Sequence, residues 1–200
     1  MAIPKYFCWT RFGTESGQSI DCILERKERE RVANDGLFLW GIGNAIGPSM
    51  KELLRRGADP EILFSPIRSA PKKADVSPAA IASWTMGETL DGAAFPLPDS
   101  STVLSRYNPS APKRAHYAIV CYSSSPVQLM NSGDTIAVRE LRNLLTGRPV
   151  GASQVTAVVE CDENGAGGTS YPVALRAQLV EPYFVRLVNP LLQDEIPSIS

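Results

Sequence analysis

Trp40 and the residues after it, Gly41, Ile42, Gly43 and Asn44, are the part of this chain whose types and order most directly suggest chemistry. They lie in residues 36–47, Gly-Leu-Phe-Leu-Trp-Gly-Ile-Gly-Asn-Ala-Ile-Gly, where a short apolar strand ends in the tryptophan and side-chain-poor backbone follows. Such backbone can approach a ligand closely or turn tightly into the next element, here a helix started by Pro48. An indole face beside it can stack on something flat. Against a nucleobase that stacking contributes ~1–3 kcal/mol. Telling a modified base from an unmodified one requires more, a snug apolar wall and hydrogen bonds to the base edge.

Constellations for catalysis are sparse. His116 is the one histidine, so a histidine triad or metal centre has a single candidate, at the start of an apolar run where a core or edge histidine serves equally well. Cys8, Cys22, Cys121 and Cys161 are far apart and lack the paired spacing of a metal site. The first three lie in apolar runs that read as buried, reduced thiols. Asp162 and Glu163 adjoin in a turn, and Glu25, Glu28 and Glu30 belong to a charged helix. None is paired in an apolar setting that would raise a carboxyl pKa for acid–base work. Gly41-Ile42-Gly43 opens like a dinucleotide loop, but Ile46 stands where the third glycine belongs. A phosphate loop, a nucleophile elbow and a metalloprotease motif are all absent from the sequence, and no cofactor or metal is implied.

The chain of 200 residues is 44% hydrophobic and 20% charged, enough to bury a sizeable core in one domain, residues 1–200. Sixteen prolines and fifteen glycines favour many short elements over a helical bundle. The net charge of −1 does not advertise polyanion binding, so a nucleic-acid site must be a local basic patch. Candidates include Lys5, Lys51, Arg55 and Arg56, and above all Arg68, Lys72, Lys73, Arg106, Lys113 and Arg114, which fall in loops around the same strands. Residues 1–5 carry no charged-then-apolar leader, and no apolar run approaches the ~20 residues of a membrane span. The expected location is the cytoplasm, away from membranes.

Several elements must position Trp40. Residues 5–12 are aromatic-rich and form a first strand with Tyr6, Cys8 and Thr10 on one face. Ile20, Ile23 and Leu24 then have helical spacing, with Ser19 or Ser16 as N-cap and an end near Asn34-Asp35-Gly36; the charged run from Glu25 to Arg31 reads as a solvated face. A second helix runs from Pro48 through Leu54. Residues 61–65, 81–86, 116–122, 153–161, 171–179 and 183–187 read as further strands, residues 92–112 as a long irregular loop, and residues 134–145 as a helix ending at Gly147. The whole implies an α+β fold, a strongly curved or closed sheet of about six strands flanked by short helices.

The order of these features resembles the YTH and EVE branch of the PUA-like superfamily. The resemblance rests on Lys5-Tyr-Phe-Cys-Trp-Thr-Arg-Phe12, a short helix, Leu37-Phe-Leu-Trp40-Gly-Ile-Gly-Asn44, a second helix, Glu61-Ile-Leu-Phe-Ser65 and a strand ending Trp84-Thr-Met. Residues 116–120 with Pro126, and Leu-Leu-Thr-Gly-Arg-Pro-Val-Gly-Ala-Ser at residues 144–153, are similar to later parts of the family. It implies a barrel-like, mixed sheet whose aromatic cage holds a flipped or single-stranded methylated base in DNA or RNA. Trp40 matches the first cage tryptophan, Thr10 and Arg11 edge the pocket, and Ser65 closes the next strand, in a structural or a ligand-facing role. Gly41 and Asn44 complete the site, and Tyr107 is the sole candidate for the second cage aromatic. A partner nuclease or restriction component would fit such a reader. An enzyme on the same scaffold using Arg11, His116 or a carboxylate, and a protein-interaction domain docking through residues 93–112, are the alternatives.

Overall fold

The first strand, β1 (Tyr6–Phe12), is dense in aromatic and β-favouring side chains and is buried on both faces. Cys8 and Phe12 enter one core cluster, Phe7 and Trp9 another. That double burial makes β1 a central strand, parallel to β3 (Glu61–Pro66) and antiparallel to β10 (Thr156–Cys161). The computed structural model describes residues 3–13, 19–56, 59–67, 81–98, 102–104, 116–130, 133–151, 154–161 and 170–191. Among them the fold is α+β, mostly sheet, with two α-helices.

The remaining strands of the main sheet are β2 (Leu37–Ile42), β4 (Ile81–Glu88), β5 (Ala94–Pro96), β6 (Thr102–Leu104), β7 (His116–Tyr122), β9 (Leu141–Asn143) and β12 (Leu175–Leu191). Its path runs β2-β7-β12-β3-β1-β10-β9, and β4 branches from β12 to carry β5 and β6. A two-stranded sheet, β8 (Thr135–Ala137) with β11 (Ser170–Pro172), lies apart. The long strand β12 serves three neighbours in succession: β3 near its start, β7 along its middle and β4 at its end. Between Leu179 and Phe184 its register against β7 shifts, with Tyr183 at φ 64°. Such a bulge bends a strand and tightens its twist.

Two strands stand between β2 and β3 in sheet order, which in a flat sheet would place them ~14 Å apart. The Trp40 and Phe64 rings nevertheless lie 4.6 Å apart. The sheet must therefore curl toward the side that carries these rings. It does not close, because β2 and β9 end the path without pairing to each other. Both helices fill the curl: Ile23 and Leu24 of α1 (Ile20–Ala33), with Ile46 beside α2 (Gly47–Arg55) and its Met50 and Leu53, join the same cluster as Trp40. Gly47 packs closely there, since a Cβ would stand 2.9 Å from a Leu90 methyl, which would have to move aside. Gly36 is likewise fixed, at φ +101° with Tyr122 against it, where it ends α1 and starts β2.

Helix α1 begins as its sequence suggests, with the Ser19 hydroxyl accepting from the Cys22 amide. Its charged run is not simply a solvated face. Ile23, Leu24, Lys27 and Glu30 share the inward stripe, and Lys27 and Glu30 are 3% and 1% exposed. Lys27 Nζ donates to Glu30 Oε2 at 2.7 Å, and Glu30 Oε1 accepts the Leu39 amide of β2 at 2.8 Å. Strand β2 is the end of the sheet path, so its outward amides need acceptors, and Glu30 supplies one. Burial pushes the Lys27 ammonium down from its ordinary range, with Glu30 opposing.

Three further expectations are corrected. Residues 134–145 form no α-helix: β8, a 3-10 turn (Val138–Glu140) and β9 replace it. Twelve strands occur among the described residues, not about six, partly because β5 and β6 lie inside the stretch read as an irregular loop. Cys22 is exposed, while Cys8 and Cys121 are buried. Among the described residues no helix is long and apolar enough to cross a membrane.

Removing the Glu30 carboxylate takes a charged partner from the buried Lys27 ammonium and the acceptor from the buried Leu39 amide. Glu30→Ala is expected to lower stability by ~3–5 kcal/mol, and the exposed neighbour Arg29→Ala to stay within ~0.5 kcal/mol, both by urea unfolding. A loss below ~1 kcal/mol for Glu30→Ala would refute the edge-capping role.

Candidate functional site

Trp40 sits in the middle of β2 rather than at its end, because the strand continues through Gly41 and Ile42 against Ala118 and Tyr117. Its side chain is 7% exposed. Phe12 meets it at 5.6 Å and 83°, and Phe64 at 4.6 Å and 70°, while Phe12 and Phe64 lie 6.4 Å apart at 79°. All three contacts are edge-to-face, the arrangement that sets the positive ring edge of one aromatic against the negative face of the next. Strands β1, β2 and β3 thus each send one ring into a shared aromatic floor. Beyond β2 the chain emerges as Gly43, Asn44 and Ala45, all exposed, with open space where a Gly43 Cβ would point.

The other candidate residues divide between the two faces of the sheet. Thr10 stands opposite Phe64 in the β1–β3 register, on the face of the aromatic floor. It is 1% exposed, and its hydroxyl shares a 2.8 Å hydrogen bond with that of Thr156 on β10. Arg11 and Ser65 are also opposite one another, but on the reverse face. The Ser65 hydroxyl is fully buried and accepts from Trp9 Nε1 at 3.0 Å, which selects the structural role for it. The Arg11 guanidinium lies 4.6 Å from the Tyr171 ring centre, and Tyr171 in turn tilts against Trp9 at 5.8 Å. Arg11 and Ser65 are therefore not brought together with Trp40.

Tyr107, Arg68, Lys72, Lys73, Arg106, Lys113 and Arg114 lie outside the described residues. Phe12 and Phe64 were not singled out from the sequence, although both could have been: Phe12 shares the parity of Thr10 on β1, and Phe64 precedes Ser65. Trp84 occupies the face opposite Trp40, clustered with Leu39 and Val185 and tilted 5.3 Å from His116. Its indole N–H is buried without a hydrogen-bond partner among the described residues. Among the described residues no cluster of histidine, cysteine and carboxylate side chains could hold a metal.

Electrostatics are concentrated around α1. Glu28 accepts from Arg31 through both carboxylate oxygens and, through Oε2, from the Val127 amide at 2.7 Å. The Arg31 guanidinium above all holds this carboxyl below the ordinary glutamate value of 4.5; burial opposes it, and the Val127 amide adds a smaller lowering effect. Burial pushes the Cys8 and Cys121 thiols well above the ordinary range, so neither is a nucleophile at neutral pH.

Comparison with protein-family models, curated proteins and solved structures gives no match.

Two outcomes follow from this geometry. Ser65→Ala strips the buried Trp9 indole of its acceptor and is expected to cost ~1–3 kcal/mol in unfolding free energy; an unchanged midpoint would remove Ser65 from the structural role. Because the folded-state pKa of Glu28 is depressed, its contribution to stability is present above the unfolded value and is lost as pH falls through the lower folded one. The Val127 amide resonance should accordingly titrate with a midpoint below 4.5. A midpoint at or above that value would contradict the tie.

Proposed function

We propose that this protein is a nucleic-acid reader module of the YTH and EVE kind, with a PUA-like, strongly curved sheet that receives a modified, methylated base on its aromatic floor. The single observation that supports this reading is the meeting of Phe12, Trp40 and Phe64, one ring from each of three strands, just before the chain opens into exposed residues 43–45. Flat aromatic ligands are held by apolar walls with few polar groups, and a methyl group on a base adds apolar surface that such walls reward. Trp40 is 7% exposed, so it acts as the floor of a pocket that the base enters by displacing residues 43–45, not as an open platform.

The base is extruded or already single-stranded. Extrusion costs a few kcal/mol, least for an unpaired or modified base, and stacking returns ~1–3 kcal/mol. Asn44, exposed beside the floor, provides an amide that can donate to and accept from the base edge. Thr10 supports the floor through its bond to Thr156 instead of touching the ligand. Arg11, on the reverse face, has no part in the pocket and serves the fold by covering Tyr171. The partner is DNA or RNA, in the cytoplasm, and a nuclease component is the natural recipient of such a signal.

Because Trp40 is part of the core, Trp40→Ala would open a cavity worth ~3–5 kcal/mol and confound the binding test. Trp40→Phe keeps most of the packing while shrinking the stacking face. Fluorescence polarisation with labelled single- and double-stranded oligonucleotides, methylated and unmethylated, should show a methylated probe preferred, about tenfold weaker binding for Trp40→Phe, and a milder loss for Asn44→Ala. A folded Trp40→Phe protein with undiminished affinity, or no oligonucleotide preferred over another, would overturn the reading.

A further inference from the structure

An apolar groove lies along one side of α1, between that helix and residues 126–129, and its floor is continuous with the core cluster that holds the aromatic rings. It encloses about 670 Å³, within the size range of ligand pockets. Leu24 and Val127, both buried, form its floor, and Leu129, 48% exposed, stands on its outer wall. The rim on the helix side is acidic. Asp21, Glu25 and Glu28 follow the i, i+4, i+7 spacing of one helix face, against a single Arg29. Glu28 is committed to Arg31 and Val127, whereas Asp21 and Glu25 are exposed and have no ion pair among the described residues. The groove thus combines an apolar floor with two exposed carboxylates and one guanidinium, an excess of one negative charge once Glu28 is set against Arg31.

Both walls are built in advance. Val127 is tied to α1 by Glu28, Met130 donates to the Ala174 carbonyl at 2.7 Å, and the Ser123 hydroxyl closes the preceding turn by donating to the Ser125 carbonyl at 2.7 Å. A preformed groove spares its occupant the ordering cost that a flexible loop would impose. The backbone of Leu129 pairs with nothing among the described residues, so this wall, which turns at Val127 and Gln128, still offers one donor and one acceptor to an occupant. Leu129 and Met130, 48% and 38% exposed, extend the apolar surface past the groove.

We propose that this groove docks a short peptide segment of a partner protein, one that places an aliphatic or aromatic side chain over Leu24 and Val127 and a lysine or arginine against Asp21 and Glu25. The charge selects the occupant: a phosphate backbone meets the wrong sign here, so the face is distinct from any nucleic-acid surface, and an apolar segment alone would leave the carboxylates unanswered. The inference does not depend on the base-reading proposal.

Selection of a random peptide display library on the immobilised full chain tests it, with Leu129→Asp and the double variant Asp21→Lys, Glu25→Lys as parallel baits. All three positions are exposed, so the variants should fold, which circular dichroism verifies. Enriched peptides should pair Lys or Arg with Leu, Ile, Met or Phe. Their affinity should fall about tenfold or more on each variant and weaken with salt. No enrichment, enriched peptides without basic residues, or equal binding to the variants would overturn the proposal. So would loss of oligonucleotide binding in the charge-reversed variant, which would assign the groove to nucleic acid.

Discussion

The contact between Trp40 and the rings of Phe12 and Phe64 is the constraint on which the rest of the molecule depends. Strands that are three steps apart in a flat sheet cannot touch across it through ordinary side chains, so these rings meet only because the sheet curls. The curl in turn needs a strand that can change neighbours midway. Strand β12 does so, pairing with β3 before its bulge and with β7 and β4 through and after it. Helices α1 and α2 then close the concave side, with Met50 and Leu53 beneath the rings. Loss of the aromatic contact would therefore be felt in the packing of both helices.

A second constraint sets the position of β2. Its outer edge borders α1, and the Glu30 carboxylate answers the Leu39 amide there while Lys27 neutralises the buried charge. A buried ion pair is rarely a net source of stability compared with apolar residues of similar size. Its value here is registry: it holds β2, and so Trp40, at one height against α1. The same helix forms one wall of the groove, with Glu28 joining it to the other wall through the Val127 amide. The groove thus rests on the same helix that fixes β2 through Glu30.

Much of this architecture is legible in the residues. Strand β7 matches its apolar run end to end, α1 starts at the Ser19 cap, and β1, β3 and β4 follow from aromatic and β-branched runs bounded by glycine and proline. Residues 134–145 are not legible in this way. Leu141 and Leu144 fall at helical spacing, but Ile136 and Leu141 are buried in β8 and β9, three-residue strands too short to show a period of two, and Leu144 in the turn after β9. The candidate site shows a different kind of error. Thr10 and Arg11 are adjacent on a strand and must point to opposite faces, so they could never edge the same pocket; strand parity alone separates them. The buried charges of α1 are invisible for a tertiary reason, since only the neighbouring β2 edge makes an inward glutamate favourable.

The central claim is that Trp40, and neither of the other two tryptophans, meets the ligand. Trp9 is committed to Ser65, and Trp84 lies on the opposite face. The direct measurement is a nuclear magnetic resonance titration that follows the three indole N–H signals as a single-stranded oligonucleotide with a methylated base is added. The account predicts that the Trp40 signal shifts, saturably and more than with the unmethylated strand, while those of Trp9 and Trp84 stay in place. A Trp40 signal unmoved by oligonucleotides that do bind, or shifts confined to Trp9 or Trp84, would contradict it.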